Sequence, residues 1–437
     1  MNKQTAQPAL KLFLLIIFAL TSSCAPLTAA PSPTATPAPS QTPTATVTPS
    51  PTNTPEPIHP KGIIFYSDRD TLYSMDLESQ KPKIVLQDVS DYWITDHNIY
   101  ATLFSKQSNG KEIFRTNLDG SEQQQLTTAG VIQIFNIDPT SRYLVYNNNK
   151  FSLVILDLLN GTSQVVAERN ENVNGSEWII ANSWSPDGKE FIYGRVINPA
   201  SDDICTPFIY DITTKLSTEL SRVGAGCGAM WSPDSQNILF TTFRDQQLQM
   251  GIFNLESATA NYIPIGGSSF FMGAWSRNHE QFLMAVFDEQ NQTYLYLFDW
   301  ETVSVSLISK IGRLQNPLHF SWSPNGDMVL YEQEEPSLSY KHYLYWLDIK
   351  NKKITNLHTL LGLDAHFDYW WEYSPTWSPD GKYFAYFTMS SGEIDYEQDF
   401  VLNIESIETE GNIQIQVPRK GSTIRMFWIN SETESEN

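Results

Sequence analysis

Apolar and β-branched residues recur along most of the chain in short runs, and Asp, Asn, Gly, Ser or Pro residues bound each run. Examples are Ile63–Tyr66, Phe191–Tyr193 and Tyr383–Phe387. Short runs of β-forming residues between turn residues predict strands rather than helices. The pattern therefore predicts an all-β chain of short antiparallel strands.

A motif of the Trp-Ser-Pro-Asp-Gly type repeats along these runs and sets their period. Its five strong copies begin at Trp184, Trp231, Trp275, Trp322 and Trp377, which are 47, 44, 47 and 55 residues apart. Weaker copies at Ile137–Pro139 and Trp93–Asp96 come earlier in the chain. Repeats of this length that contain four strands each predict the blades of a β-propeller.

A second marker, an Asp or Asn at the end of a strand, gives the number of blades, because short polar side chains bond their own backbone at hairpin tips. The eight markers are Asp76, Asn117, Asp157, Asp211, Asn254, Asp299, Asp348 and Asn403. We therefore predict eight blades, with seven as the alternative.

The two ends of the repeat region complement each other. The first unit, which begins at Ile63, lacks an inner strand of the Trp type, and an unpaired one, Ile424–Ile429, ends the repeat region. Pairing this strand into the first blade closes the ring and removes two exposed sheet edges. The predicted propeller spans residues 61–430.

The Trp-Ser-Pro-Asp-Gly repeats resemble the PD40 repeats of TolB-like propellers over residues 62–430. They also resemble the propeller that precedes the hydrolase domain in peptidases of the prolyl oligopeptidase type. The resemblance implies a propeller fold and, from the TolB-like proteins, a role in a complex of the cell envelope.

The repeated motif itself is predicted to be structural. Its Trp packs between neighbouring blades, its Pro fixes φ at the first corner of a turn, and its Asp-Gly ends a tight hairpin. Asp187, Asp234 and Asp380 are therefore expected to cap turns rather than to act in catalysis or to bind a metal.

The charge of the chain excludes one class of partner. The chain has 28 Lys and Arg residues against 49 Asp and Glu residues, a net charge of −21. Phosphate backbones and anionic lipid head groups repel such a surface. We expect no nucleic-acid partner, and we expect membrane contact through an anchor alone.

Residues 1–24 have the features of a lipoprotein signal peptide. Lys3 and Lys11 are followed by the apolar run Leu12–Leu20, which is too short to span a membrane, and by small residues up to Cys24. This segment resembles the bacterial lipobox, although Leu20 lies four residues before Cys24 rather than three. Lipidation of Cys24 would place the protein in the cell envelope, facing the extracytoplasmic side. The alternative is a secretory signal with an incidental cysteine.

Residues 25–60 hold 11 of the 25 prolines, interleaved with Thr, Ala and Ser. Such a segment buries too little apolar surface to fold and predicts an extended, disordered linker. Residues 431–437 are predicted to be a disordered tail.

The two remaining cysteines, Cys205 and Cys227, fall in connections that emerge on one side of the same blade. In an oxidising compartment they are predicted to form a disulfide bond. The alternative is two unpaired thiols.

No sequence motif indicates catalysis or a cofactor. The chain has no Gly-x-Ser-x-Gly elbow, and its seven histidines show no spacing typical of a zinc site. We therefore predict no enzymatic activity, no catalytic residue, no metal and no cofactor.

The best candidate for ligand binding is an aromatic and acidic insertion before Trp377, which explains the 55-residue spacing. Loops on a rigid scaffold carry function, and aromatic rings beside carboxylates suit peptides, cations or sugars. The alternative is that Tyr369, Trp370 and Trp371 cover the mouth of the central channel or pack on a neighbouring loop. The candidates are Asp364, His366, Asp368, Tyr369, Trp370, Trp371 and Glu372.

Three functions follow from these observations. The leading hypothesis is a membrane-tethered scaffold that binds a protein, peptide or glycan. The second is a structural component of an envelope complex, as in the TolB-like proteins. The third is a glycan-active enzyme that uses paired carboxylates from different loops.

Overall fold

The structure is a computed structural model. It describes residues 58–170, 177–197, 204–220, 228–244, 247–267, 269–276, 280–290, 292–313, 320–334, 342–357, 375–389, 400–408, 411–417 and 425–431. In these residues no helix is long and apolar enough to cross a membrane.

The strands form eight four-stranded antiparallel sheets, the blades, numbered here in chain order. Blade 1 contains β1 (Ile63–Asp68), β2 (Thr71–Asp76), β3 (Lys81–Leu86) and the last strand, β32 (Phe427–Ile429). Blade 2 contains β4 (Asp91–Ile94), β5 (Asn98–Ser105), β6 (Gly110–Asn117) and β7 (Gln124–Gln125). Blade 3 contains β8 (Val131–Ile137), β9 (Tyr143–Asn148), β10 (Leu153–Asp157) and β11 (Thr162–Ala167). Blade 4 contains β12 (Glu177–Trp184), β13 (Glu190–Ile197), β14 (Ile204–Asp211) and β15 (Leu216–Glu219).

The second half of the ring continues in the same order. Blade 5 contains β16 (Met230–Trp231), β17 (Asn237–Arg244), β18 (Gln247–Asn254) and β19 (Thr259–Pro264). Blade 6 contains β20 (Ser269–Trp275), β21 (Gln281–Phe287), β22 (Gln292–Asp299) and β23 (Ser304–Arg313). Blade 7 contains β24 (Phe320–Trp322), β25 (Met328–Glu334), β26 (His342–Asp348) and β27 (Lys353–Asn356). Blade 8 contains β28 (Thr376–Trp377), β29 (Tyr383–Met389), β30 (Phe400–Ser406) and β31 (Asn412–Val417). The chain is an eight-bladed β-propeller, which confirms the predicted fold, and the seven-bladed alternative is wrong.

The connections of each blade alternate between two sides of the ring because antiparallel strands alternate in direction. We call the side with the first-to-second and third-to-fourth turns the turn face. The side with the second-to-third and inter-blade connections is the loop face. First strands of successive blades contact each other, as β12 and β16 do, and they therefore line the axis. In blade 1 the axial strand is β32.

The core lies between the blades. The described residues form eight clusters of buried apolar side chains, and each cluster joins two adjacent blades. Both faces of the middle strands are therefore covered, and β30 is buried at six of its seven positions. The outer strand β11 has a free face and is exposed at three of its six positions. This difference explains why the middle strands are continuous apolar runs.

The ring closes as predicted, because β32 pairs with β1 in blade 1. Ile63 lies opposite Ile429, and Phe65 lies opposite Phe427. The closing strand is shorter than the predicted Ile424–Ile429 segment. The indole N–H of Trp428 also donates to the carbonyl of Lys61 at 2.9 Å. A Cβ at Gly62, whose φ is 108°, would lie 2.4 Å from the carbonyl oxygen of Ile429, so this contact requires glycine.

The repeated motif builds turns. In blade 8 the hydroxyl of Ser378 accepts a hydrogen bond from the N–H of Tyr383 at 3.0 Å and donates one to Asp380 at 2.6 Å. Equivalent serines accept from the N–H five residues later in blades 4 to 7. Gly381 adopts a positive φ of 71°, the left-handed conformation that ends the hairpin.

Seven of the eight predicted hairpin-tip markers end the third strand of their blade, and Asn403 does not. The third strand of blade 8 continues to Ser406, which pairs with Tyr383 as Asp211 pairs with Glu190 in blade 4. Asn403 is a fully buried residue inside β30. The choice of Asn403 as the marker was wrong because a hydroxyl takes the capping position in this blade.

Candidate functional site

The seven predicted ligand residues lie outside the part of the chain that the structure describes. They belong to the connection between Asn356, the last residue of β27, and Thr376, the first residue of β28. This connection joins blade 7 to blade 8, and its two ends lie on the loop face. The binding role of these residues stays a prediction.

Cys205 lies near the start of β14, at the loop-face end of blade 4, where it pairs with Val196. Cys205 is disulfide-bonded. Cys24 and Cys227 lie outside the described residues. The Cys205–Cys227 bridge and the lipidation of Cys24 therefore stay predictions.

An ion pair joins three blades where their axial strands begin, at the loop face. The guanidinium of Arg425, just before β32, donates to the carboxylate of Asp91 at 2.7 Å and to the carbonyl of Tyr92 at 2.8 Å. It also donates to the carbonyl of Ile134 in blade 3 at 3.2 Å and lies 5.2 Å from the ring centre of Trp93. Arg425 thus holds blades 1, 2 and 3 together at the axis.

The carboxylate of Asp91 is buried in this network, with only 7% of its side chain exposed. It accepts from the N–H of Ile134 at 2.7 Å as well as from Arg425. Burial raises the pKa of Asp91, and the charge of Arg425 opposes that rise. Burial also raises the pKa of Tyr92 to about 12, and its hydroxyl bonds the carbonyl of Arg425. These contacts hold the Arg425 side chain in one orientation.

A second ion pair occupies the start of the axial strand of blade 4. Arg195 donates to the carboxylate of Glu177 at 2.8 Å, and the exposed fractions of their side chains are 27% and 3%. The other oxygen of Glu177 accepts from the N–H of Asn170 at 2.6 Å. As at Asp91, a buried carboxylate fixes a partly exposed guanidinium at the loop-face end of the axis.

Three exposed apolar side chains lie on the axial strands of blades 3 and 4, and we call them the axial patch. They are Ile132, Trp178 and Ile180, with exposed fractions of 40%, 53% and 44%. Trp178 and Ile180 alternate with the buried Glu177 and Ile179, so one face of β12 packs against its neighbours and the other is open. Exposed aromatic and aliphatic groups on a rigid strand suit the binding of another molecule.

The buried carboxylates of the described residues act within the fold. There are six: Asp91, Glu112, Asp138, Asp157, Glu177 and Glu405. Glu112 is typical, because it accepts from the hydroxyl of Thr127 at 2.6 Å and from the N–H of Gly130 at 3.1 Å. In this part of the chain no group of three or more His, Cys, Asp or Glu residues could hold a metal ion. The absence of enzymatic activity stays a prediction.

The sequence analysis missed both ion pairs and the axial patch. Arg425 could have been noticed, because it is the one charged residue in the apolar segment Ile424–Ile429. Trp178 could not have been noticed, because the Trp-Ile-Ile run of β12 does not indicate which of its side chains face the axis. Strand periodicity distinguishes two faces only when one of them is polar.

A family model described as "TolB beta propeller domain" (PD40) matches residues 105–373. The match covers more than half of the chain and includes four of the five strong motif copies, since the fifth begins at Trp377. No curated protein matches the chain.

Solved structures resemble the propeller at low sequence identity. Dipeptidyl peptidase 4 from Porphyromonas gingivalis has a TM-score of 0.53 and 12% identity, with 83% of this chain and 59% of that chain covered. Oligogalacturonate lyase from Vibrio parahaemolyticus has a TM-score of 0.49 and 15% identity, with coverage of 75% and 95%. TolB from Acinetobacter baumannii has a TM-score of 0.38 and 15% identity, with coverage of 78% and 82%. At these identities the structural similarity supports the fold alone.

Proposed function

This chain belongs to the TolB β-propeller domain family, and on that premise we propose that it is a non-catalytic scaffold of the cell envelope. It binds a protein, peptide or glycan partner through its loop face. A lipid on Cys24 tethers it to the membrane, and residues 25–60 act as the spacer.

The axial patch is the observation that carries this proposal. Trp178 is half exposed on a strand whose other face is buried, so its ring is presented at little entropic cost. Large aromatic side chains on rigid elements dominate the energetics of protein interfaces. The predicted ligand residues, including Trp370 and Trp371, belong to a connection on the same face.

Arg195 and Arg425 add specificity to this surface. Each arginine side chain is 25–27% exposed, and a buried carboxylate holds its guanidinium. A fixed, partly exposed cation bonds a carboxylate or carbonyl of a partner with less loss of side-chain entropy than a free one. A partner with acceptor groups around an apolar centre fits this arrangement.

The family supports a narrower form of the proposal, in which the partner is a protein of an envelope complex. The family match supports this form, because the resemblance to TolB-like propellers implies a role in an envelope complex and the ring of blades offers a rigid surface. In this form a glycan would not compete with the partner.

A capture experiment from solubilised envelope tests the proposal. We expect the wild-type chain to retain a partner that Trp178→Ala and the double variant Trp370→Ala/Trp371→Ala both lose. Leu159→Ala is the matched control, because Leu159 is 80% exposed but follows the third strand of blade 3 on the turn face. Equal recovery with Leu159→Ala and with the two loop-face variants would reject the assignment of the binding face.

A separate experiment tests the tether. We expect cells fed an alkyne-bearing fatty acid to label the wild-type protein and to leave Cys24→Ser unlabelled. The unlabelled variant should also leave the membrane fraction. Labelling of Cys24→Ser would contradict lipidation at this residue.

A further inference from the structure

A groove lies between blades 1 and 2 on the turn face, and we call it the blade 1–2 groove. Its volume is about 590 Å³, which is within the range of about 300–1,000 Å³ that ligand pockets occupy. The apolar residues that line it come from both blades. They are Ile63, Phe65 and Val85 of blade 1 and Leu118 of blade 2, and all four belong to or pack against the core cluster that joins these blades.

The groove exists because blade 1 departs from the repeat at its turn. In blades 4 and 5 the motif turns touch each other, since the N–H of Asp187 donates to the hydroxyl of Ser235 at 3.1 Å. Blade 1 has no turn between its axial and second strands, because β32 is the last strand of the propeller and β1 is the first. The residues before β1 do not fill the space, since Ile58 packs in the core cluster of blades 8 and 1. The side of blade 1 that faces blade 2 is therefore open at the turn face.

The strand register of blade 1 places two opposite charges on that side. Ile63 pairs with Asp76, Phe65 pairs with Ser74, and Ser74 pairs with Lys83. Paired residues of neighbouring strands point to the same face of a sheet, and so do residues two apart on one strand. Asp76 and Lys83 therefore share the face of Ile63 and Phe65, which packs against blade 2. Both charged residues line the groove.

Blade 2 adds a second carboxylate and an imidazole. Asp119 follows β6 and His97 follows β4, both in connections on the turn face, and both residues line the groove. One oxygen of Asp76 accepts from the N–H of Ser79 at 2.9 Å, and one oxygen of Asp119 accepts from the N–H of Ser121 at 2.9 Å. These bonds fix the orientation of the two carboxylates.

The charges of the groove do not neutralise one another. Within the described residues, no ion pair involves Asp76, Asp119 or Lys83, and the side chains of Lys83 and His97 make no hydrogen bond. An anionic ligand would face two carboxylates, and a cationic ligand would face Lys83. A neutral polar ligand would gain nothing from the apolar residues. The ligand that fits carries both charges and an apolar body.

We propose that the blade 1–2 groove binds a short peptide that has free termini and apolar side chains. The peptide ammonium pairs with Asp76 and Asp119, the peptide carboxylate pairs with Lys83, and the side chains pack on Phe65 and the apolar residues around it. The groove has the volume of about twenty water molecules at about 30 Å³ each. This volume suits a tripeptide, which has about the same number of non-hydrogen atoms.

This site is independent of the loop-face proposal. It lies on the turn face, and its test leaves the axial patch unchanged. A propeller with both sites could hold a partner on one face and a short peptide on the other.

Calorimetric titration of the purified full-length chain with the tripeptide Leu-Gly-Leu tests the proposal. We expect saturable binding. The same peptide with an acetylated amino end and an amidated carboxyl end has no charges and should bind at least tenfold more weakly, because both ion pairs are lost. Free leucine keeps both charges but buries less apolar surface, and it should also bind at least tenfold more weakly.

Two variants test the charged residues. Asp76→Asn removes the charge and keeps an oxygen that can accept from the N–H of Ser79. It should weaken binding of Leu-Gly-Leu about tenfold, and it should not weaken binding of a peptide whose amino end is already acetylated. Lys83→Gln removes the ammonium group and should weaken binding about fivefold, a smaller effect because Lys83 is exposed.

Asp348→Asn and Lys353→Gln are the matched controls. Asp348 ends the third strand of blade 7 and accepts from the N–H of Asn351 at 2.9 Å, as Asp76 accepts from Ser79 in blade 1. Lys353 lies opposite Asp348 on the outer strand, and neither residue lines the groove. Both controls should bind Leu-Gly-Leu within twofold of the wild type.

The proposal fails if Leu-Gly-Leu does not bind, or if the uncharged peptide or free leucine binds as tightly. It also fails if Asp76→Asn and Lys83→Gln bind the tripeptide as the wild type does, or if the two control variants weaken binding equally.

Discussion

On the turn face the same hydrogen bonds recur from blade to blade, whereas on the loop face each blade has contacts of its own. The turn serines of blades 4 to 8 all accept from the N–H five residues later. On the loop face, Arg425 with Asp91 joins three blades, and Arg195 pairs with Glu177 within blade 4. The repeated motif therefore specifies the shape of the blade. Residues outside the motif, such as those of the two ion pairs, make the contacts that differ from blade to blade.

The largest expected effect lies on the loop face. Asp91→Ala removes the carboxylate that pairs with the guanidinium of Arg425 and accepts from the N–H of Ile134. Removing one partner of a buried ion pair costs about 3–5 kcal/mol, and urea denaturation should show a loss of this size. On the turn face, Lys189→Ala removes the exposed ion pair with Asp187 and should change the free energy of unfolding far less. If the two variants lost the same free energy of unfolding, the ion pair on the loop face would be no more stabilising than the one on the turn face, which would contradict this prediction.

A pH-dependent effect of nearly this size is expected from Glu405, close to the turn face of blade 8. Burial raises the pKa of Glu405 to about 7, from its ordinary value of 4.5. The folded state therefore binds more protons than the unfolded state between these values, and stability falls as the pH rises from about 4.5 through 7. The loss amounts to about 3 kcal/mol above pH 7.

Glu405→Gln removes this titration and keeps an oxygen that can accept from the hydroxyl of Tyr386, which lies 3.2 Å from the carboxylate. The variant should be more stable than the wild type at pH 8 and lose most of the difference at pH 5. Denaturant midpoints at the two pH values measure this. Parallel pH profiles of wild type and variant would show that Glu405 does not titrate in this range.

A smaller effect is expected from a single turn of the repeat. Ser378→Ala removes a buried hydroxyl that accepts from Tyr383 and donates to Asp380. The unpaired N–H costs about 1–3 kcal/mol, measured as the free energy of unfolding in urea. Ser323→Ala makes the same change in blade 7 and should give the same loss, because the two turns share their bonds. A difference of more than about 1 kcal/mol between them would contradict the equivalence of the turns.

The smallest effect on stability is expected at the axial patch. Trp178→Ala truncates a side chain that is 53% exposed. Substitutions of exposed residues usually change the free energy of unfolding by less than about 0.5 kcal/mol. If the same variant keeps its stability but loses its partner in the capture experiment, Trp178 contributes to binding and not to the stability of the fold. A large loss of stability would instead show that Trp178 is a packing residue.

The fold was predictable because the repeat carries it. Trp, Ser, Pro and Gly at fixed spacing specify a turn whose bonds are local, so the sequence alone reveals the blades and their number. The closing strand was predictable because the first unit lacked its axial strand. The marker at Asn403 misled, because Ser406 caps the hairpin with a hydroxyl that has no special sequence signal.

The candidate sites were less predictable because they depend on neighbours that are distant in sequence. Arg425 and Asp91 are 334 positions apart, and no periodicity connects them. The indole N–H groups of Trp231, Trp322 and Trp377 donate to the preceding blade, whereas those of Trp184 and Trp275 have no partner in the described residues, although the motifs look alike in sequence. Whether a motif tryptophan finds an acceptor is decided by the position of the preceding blade.

The pairing of β1 with β32 also sets the order in which the molecule can be completed. The bond between Trp428 and Lys61 spans 367 residues. During folding, blade 1 lacks its axial strand until β32 arrives from the other end of the propeller. Throughout that time β1 is an open edge strand that can pair with another chain. The closing strand removes this edge, and a chain truncated before Phe427 should aggregate even with seven blades formed.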